Sequence, residues 1–464
     1  MTEAAPRLAA LAETLLGAPL PVRIRAWDGS EAGPPAGPTL VLANRRALRR
    51  VLWRPGELGL ARAWVAGDLT VEGDLFELLD RVAGLLWERG SAPSPGTPPA
   101  LRRSGLGKLG VLSSHLPQLP DRTAGAAQAA ALLRDPEARA ALRDLVALAR
   151  PWPAPAPPPE EAPGRRSGQV HSKARDKQAI SHHYDVGNEF YEHVLGPSMV
   201  YSCAYWSPGS TLEEAQRDKL DLVCRKLGLR PGERLLDVGC GWGSMALHAA
   251  REYGVRVTGI TLSREQAVYA RKRAAEEGLA DRLDIRIQDY RDVKDGPYDA
   301  ISSIGMAEHV GAERYREYAR TLHALLAPGG RLLNHQIARP PEPDEEAHRI
   351  DEFIDAYVFP DGELSPLGTT VGELERAGFE VRDVEALREH YALTLRAWVA
   401  RLEDRWEEAV RLTSPGRARV WRLYMAASAL GFEHGRLGVN QVLAVKPAAA
   451  GRSGLPLRLR TWGA

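Results

Sequence analysis

From residue 234 onward the chain alternates short apolar runs with longer stretches whose apolar residues recur every three or four positions. RLLDVGC (234–240), VRVTGITL (255–262), LDIRIQDY (283–290), YDAISSIGM (298–306) and GGRLLNHQI (329–337) have the length and content of buried strands. Between them WGSMALHAAREYG, SREQAVYARKRAAEEGL and AERYREYARTLHALLAPGG carry the helical period, the second opened by Ser263 as an N-cap. Such alternation predicts a doubly wound, mainly parallel α/β sheet. Upstream, PVRIRAWDG, TLVLANRRALRRVLW and ARAWVAGDLTVEGDLFELLDRV read as the short strands and amphipathic helices of a smaller α+β domain, with no catalytic cluster.

Two Pro-rich breaks punctuate the pattern, SAPSPGTPPA at 91–100 and PWPAPAPPPEEAPGRRSG at 151–168. The second has the composition of a stiff, solvated connector, so the main boundary is expected there. The predicted organisation is an N-terminal α+β domain at 1–150, a Pro-rich linker at 151–172, the α/β domain at 173–448 and a C-terminal tail at 449–464.

Charge and cysteine content narrow the function. Lys plus Arg total 61 against 60 acids, so the summed field offers no general attraction for nucleic acid. Cys203, Cys224 and Cys240 are odd in number and show no metal-type pairing, which favours a reducing, cytoplasmic compartment and no metal site. MTEAAPRLAALAETLL lacks the basic leader and cleavage site of a signal peptide, and no run approaches 18 apolar residues. Membrane contact is therefore expected to be peripheral.

In LLDVGCGWGS, glycines at 239, 241 and 243 stand between a strand and a helix, where they permit a sharp turn and close approach of a ligand. A tight turn without a ligand would need the same glycines. A dinucleotide site would place an acid about 20 residues on, for the ribose hydroxyls, but that position reads GITLS, and the Lys-Ser/Thr ending of a phosphate loop is missing. The loop reads best as a cradle for S-adenosylmethionine (SAM), with Asp237 organising the loop or the methionine amine and QDY at 288–290 near the adenine. SSIGMAEHVG (302–311) then ends a strand on Glu308 and His309, where a nitrogen-modifying enzyme often carries an Asn/Asp-Pro-Pro-Tyr amine clamp.

VYSCAYW, LLDVGCGWGS, GITLSREQ, SIGMAEHVG, LLNHQI and EHYALTLRAW occur in order. Over about residues 175–445 the chain therefore strongly resembles the cyclopropane-fatty-acyl-phospholipid synthase and mycolic-acid methyltransferase family. YVFPDGELSPLG, WRLYMAAS and the late LPLR-x-R-x-W stretch are most similar to the actinobacterial fatty-acid methyltransferases that make 10-methylenestearoyl chains for tuberculostearic-type acids. The upstream domain more loosely resembles the N-terminal domain of the longer, phospholipid-acting synthases.

The resemblance implies a class I SAM-dependent methyltransferase, Rossmann-like and doubly wound. It implies SAM contacts from Tyr201, Ser202, Asp237, Gly239, Gly241, Thr261, Leu262, Gln266, Asp289, Tyr290 and Ile304. It also implies a bicarbonate ion as base, held by Cys203, Glu308, His335, the Ile337 backbone and Tyr391. Taken singly, Cys203 and Tyr391 would be core residues and His335 a satisfied strand-end histidine. A carboxylate beside bicarbonate would repel it, so Glu308 is expected to be protonated, to accept a proton, or to have a neighbouring donor such as His309. The segment 179–206 would cover the cofactor, and 340–365 would supply first a lid and then a channel wall.

The implied activity is methylation of the cis double bond of oleoyl chains in membrane phospholipid, forming a 10-methylene branch through a carbocation. Cyclopropanation of the same substrate uses the same motifs and stays open. So does a small-molecule methyltransferase whose upstream domain only oligomerises, although the missing amine clamp speaks against it. The implied setting is peripheral, at the inner face of the cell membrane. The upstream domain would dock to the membrane or form a homodimer, and a flavin-dependent reductase would act on the product.

Overall fold

The computed structural model describes residues 3–91, 136–149, 153–162, 171–173, 175–176, 186–342, 345 and 351–457. The chain divides into two compact units. The first comprises Met1–Ala162, Ala347–Val358 and Ser414–Leu430, and the second comprises Pro163–Glu346, Phe359–Thr413 and Gly431–Ala464.

In the first unit, β1 (Arg23–Arg25), β2 (Glu31–Ala32), β3 (Thr39–Leu42) and β4 (Leu69–Glu72) form a sheet of order β2-β1-β3-β4. α1 (Ala4–Leu16) buries Ala5 and Leu8 against Ile24 and Leu42. Two further helices follow β3, α2 (Arg46–Trp53) and α3 (Glu57–Val65). Buried Asp68 accepts hydrogen bonds from Arg50 Nε (2.8 Å), Arg46 Nε (3.1 Å) and Asn44 Nδ2 (2.8 Å), so its charge is matched where water is excluded.

Part of the Pro-rich stretch read as a connector is built into this unit. Glu161 accepts from Arg62 Nε (2.7 Å), Arg62 Nη2 (2.6 Å) and the Tyr357 hydroxyl (2.9 Å), and the Ala162 amide donates to Ala356 O at 2.7 Å. Tyr357 belongs to a short helix, Glu352–Tyr357, inside the segment expected as channel wall. Most of the residues expected as a lid, 343–344 and 346–350, lie outside the described residues, as do 163–170 and the first Pro-rich break beyond residue 91.

The second unit holds β5 (Arg234–Val238), β6 (Arg256–Thr261), β7 (Leu283–Ile287), β8 (Tyr298–Ile304), β9 (Leu326–Arg339), β10 (Ser365–Pro366), β11 (Glu380–Ala386) and β12 (Gly438–Val445). The order is β11-β12-β9-β8-β5-β6-β7, with β10 on β9. β5 to β9 are parallel, while β12 is antiparallel to both β9 and β11. This is the doubly wound, mainly parallel α/β sheet that the sequence pattern predicts.

Its longer helices are α4 (Leu212–Leu227), α5 (Ser244–Tyr253), α6 (Arg264–Glu276), α7 (Ala312–Leu325) and α8 (Arg388–Asp404), with Leu367–Arg376 packed beside α7. Alternate strand residues enter separate cores. Leu235 and Leu333 join α4, α5 and α6 in one cluster, whereas Leu236 and Leu332 join α7 residues Tyr315, Tyr318 and Leu322 in the other. Both faces are thus covered, which a parallel sheet requires.

Ser263 caps α6 by accepting from the Gln266 amide at 3.2 Å, as its position predicts. The helix expected to run to residue 330 ends at Leu325, and Leu326 is already extended. Pro328 cannot continue the ladder and disfavours helix at the residue before it, so APGG becomes the start of β9.

Candidate functional site

The strand order reverses between β5 and β8, and a crevice opens at the carboxyl ends of such strands. The chain leaves β5 through Gly239, Gly241 and Gly243, all left-handed at φ 76°, 53° and 84°. A Cβ at Gly243 would lie 2.9 Å from the Ala270 Cβ on α6, whereas one at Gly241 would meet nothing within 4 Å. Gly243 therefore serves helix packing, and Gly241 leaves open room over the cavity.

One cavity receives all the residues expected at the cofactor. Tyr201 and Ser202 border it from the segment before α4, and Asp237, Gly239 and Gly241 from β5 and its loop. Thr261, Leu262 and Gln266 follow β6, Asp289 and Tyr290 follow β7, and Ile304 ends β8. Thr261 Oγ1 donates to Gln266 Oε1 at 2.8 Å, fastening the end of β6 to the first turn of α6. Burial works against ionisation of Asp289, but Arg291, donating through its backbone amide (2.9 Å), Nε (2.8 Å) and Nη2 (2.6 Å), holds its carboxyl below the usual range. Tyr290 is buried, with its ring edge-on to Tyr318 at 5.4 Å.

Asp237 is fully buried at the base of this wall. Ser302 Oγ donates to its Oδ1 at 2.7 Å, and its Oδ2 has no hydrogen-bond partner among the described residues. Burial raises this carboxyl to about 6, against the opposing pull of Ser302 and Lys219. An orphaned carboxylate oxygen beside an open glycine loop and a buried aromatic ring fits the ammonium, ribose and adenine of SAM.

The segment expected as a cover contributes where it is described. Tyr191, in the helix Asn188–Leu195, packs its ring 4.5 Å from Trp242 and 5.6 Å from Tyr201, and Trp242 Nε1 donates to Asn188 Oδ1 at 2.8 Å. Residues 179–185 of this segment lie outside the described residues.

Beside the cavity, the residues expected at the base are linked through backbone. Glu308 Oε1 accepts from the Ile337 amide at 2.8 Å. Ile337 pairs in register with Val439, whose carbonyl accepts from the Leu387 amide at 2.8 Å. The Leu387 carbonyl in turn accepts from the Tyr391 amide (3.1 Å) and the Cys203 thiol (3.5 Å). His335, two residues before Ile337, pairs in register with Ile304 of the cavity wall, and its carbonyl accepts from the Gly305 amide at 2.9 Å. Tyr391 lies against Phe432 at 4.8 Å and edge-on to Trp398 at 6.1 Å, whose ring is 5.5 Å from Tyr201.

Burial sets the protonation of these groups. It raises Glu308 to about 7, against the Ile337 amide that favours the carboxylate. It lowers His335 well below its ordinary value, helped by Lys219 and Lys226, so the imidazole is neutral. Gln441 Nε2 lies 3.3 Å from His335 Nδ1; donation to Nδ1 places the ring proton on Nε2. That Nε2 and Glu308 Oε2 are both buried without a hydrogen-bond partner among the described residues. The Cys203 thiol is kept neutral by burial and donates to carbonyls, including Ala204 O at 3.2 Å.

His309 is not the donor to Glu308: it borders the cofactor cavity and packs edge-on against Phe359 at 5.5 Å, while the Ile337 amide takes that part. The Ile337 amide, expected at the anion, here donates to Glu308.

Sequence reasoning passed over Lys219 and Arg291, which also border the cavity. The signal for Lys219 is its place on the apolar stripe of α4, with Leu212, Ala215, Leu220 and Val223. Arg291 bridges Asp289 and Asp176 across a long stretch of sequence, which no local pattern reveals.

Residues 171–442 match the family model described as mycolic acid cyclopropane synthetase. A protein of Mycobacterium tuberculosis named "Probable fatty acid methyltransferase" is 41% identical over 444 residues, 94% of each chain. The cyclopropane-fatty-acyl-phospholipid synthase of Escherichia coli K12 is 37% identical over 280 residues, 60% of this chain and 71% of its own. Among solved structures, a mycolic acid cyclopropane synthase complexed with SAH and CTAB is 34% identical with a TM-score of 0.55, covering 58% of this chain and 97% of its own.

Proposed function

The chain belongs to the mycolic acid cyclopropane synthetase family of SAM-dependent one-carbon transferases, and from that premise we propose that it methylates the cis double bond of oleoyl chains in membrane phospholipid, leaving a 10-methylene branch. The observation that supports one-carbon transfer with an anionic base is the pair of buried, unpartnered atoms Glu308 Oε2 and His335 Nε2 beside the cavity bordered by the SAM-type wall, and the choice of a methylene branch leans on the similarity to a fatty acid methyltransferase.

An isolated double bond is a weak nucleophile, and bound SAM supplies the strongly electrophilic methyl group it needs. Methylation of one alkene carbon leaves a carbocation on the other. A hydride shift places the charge on the methyl-bearing carbon, and loss of a methyl proton gives the exocyclic alkene. The protein must exclude water and face the cation with aromatic rings, a role for the Tyr391, Trp398 and Phe432 cluster. Bicarbonate would supply the base. His335 Nε2–H would hold it as donor, and neutral Glu308 would donate through Oε2, which removes the repulsion a carboxylate would cause. Cys203 and Tyr391 would shape the remaining wall.

The cyclopropane synthase reading draws on the Escherichia coli relative, but that similarity covers 60% of this chain, whereas the fatty acid methyltransferase match covers 94%. Among the described residues no helix is long and apolar enough to cross a membrane. Action on phospholipid from the inner membrane surface, with the upstream unit docking or pairing copies, completes the proposal. A flavin-dependent reductase would be a suitable consumer of the exocyclic alkene. The test is transfer of label from methyl-labelled SAM to dioleoyl-phospholipid vesicles with bicarbonate present. Label in the acyl chains supports the reading, and label only in small molecules overturns it.

A further inference from the structure

Lys219 lies on the buried stripe of α4 and is 1% exposed. Its Nζ donates to Ser202 Oγ at 2.9 Å, and both residues border the cofactor cavity. An ammonium has three donors, and a charge withdrawn from water is normally matched by a counter-ion. Among the described residues Lys219 makes no ion pair. Its contrast is Lys226, two turns along the same helix and equally buried, which is paired with Glu385. Asp237 shares the cavity wall, but it is bonded to Ser302, and its free Oδ2 suits a cation from the ligand. Burial lowers Lys219 to about 8, which leaves it mostly charged at neutral pH.

We propose that Lys219, together with Ser202, binds the α-carboxylate of SAM. This rests on the cofactor reading above and names the group that one end of the cavity recognises. The amino-acid end of the cofactor would then be read by charge at both its groups, with Lys219 on the carboxylate and Asp237 on the ammonium. The ligand would thereby match a buried ammonium on which Asp237 acts only through space, with no direct ion pair among the described residues.

The experiment is calorimetric titration of the full-length protein, wild type and Lys219→Met, with SAM and with decarboxylated SAM. The wild type should bind SAM about 10- to 100-fold more tightly, the range for a charge-assisted contact. Lys219→Met should lose that preference, weakening SAM by the same factor while its affinity for the decarboxylated compound stays within about twofold. Ligand-free thermal melting should show the variant no less stable than wild type. If it does not fold, Lys219→Gln, which keeps a neutral donor, takes its place and should also lose the preference. Equal weakening of both ligands, or an undiminished preference in a folded variant, would overturn the proposal. Binding of neither ligand by wild type would instead overturn the cofactor reading beneath it.

Discussion

Withdrawal from water acts on Glu308 and His335 in opposite directions on the pH scale with the same chemical result, since each is pushed toward its neutral form. For Glu308 the sign has a measurable consequence. A carboxyl raised to about 7 keeps its proton below that pH and loses it above, and a bound anion moves the loss still higher. The half-saturating concentration of free bicarbonate for turnover should therefore rise as pH climbs from 7 to 9. Glu308→Gln keeps a donor at Oε2 and cannot ionise, so it should flatten that rise; a rise that survives in the Gln variant would contradict the assignment. His335→Ala should lower turnover roughly 10- to 100-fold, as loss of a preorganised donor does, and leave SAM affinity within about twofold. A parallel collapse of SAM binding, read by calorimetry, would place His335 in the cofactor wall instead. The glycine loop, Asp237 and the QDY stretch of the cavity wall were legible as short motifs at strand ends, whereas Tyr201 and Ser202, before α4, rested on the resemblance. The donor to Glu308 was not legible, because the Ile337 amide is brought there by the β8 and β9 pairing, which no side-chain pattern specifies.

Along the strand–loop–helix element from β5 to α5, the glycines divide two tasks that one substitution each can separate. Gly243→Val would force a Cβ to 2.9 Å from Ala270 Cβ at φ 84°, so α5 and α6 would have to move apart. Its melting temperature should fall markedly, with SAM affinity falling as a result. Gly241→Ala meets open space and costs about 1–2 kcal/mol for its left-handed backbone; its main effect should be on SAM affinity. Equal melting temperatures for the two variants would refute this division. Apolar runs announced β5, β6 and β8 because those strands bury nearly every residue, and β7, at the sheet edge, by the alternation of buried Leu283 and Ile285 with more exposed neighbours. The reading stopped short of β12, whose run is broken by Asn440 and Gln441. Both are buried nonetheless, because β9 places Gln336 and His335 opposite them in register. A polar pair inside a strand reads as a loop until its partner strand is known.

At the scale of the whole molecule, a linear reading divides the chain once, while the structure returns to the first unit twice, through 347–358 and 414–430. These returns are fixed by particular contacts, such as Tyr357 on Glu161 and Trp64 Nε1 donating to the Arg419 carbonyl at 2.9 Å. Partners separated by roughly 200 residues or more cannot be read from local composition. A chain beginning at residue 163 would leave Tyr357 without Glu161 and the helix through Arg419 without Trp64. It should melt lower than the full chain and be cleaved first within 347–358 or 414–430 under limited proteolysis; melting and cleavage unchanged from the full chain would contradict this. The central claim concerns the product, and its most direct test is proton NMR of fatty acids recovered after incubation with SAM, bicarbonate and dioleoyl-phospholipid vesicles. The account predicts exomethylene vinyl signals from a 10-methylene chain. Upfield cyclopropyl signals without them, or an unchanged oleoyl spectrum, would contradict it.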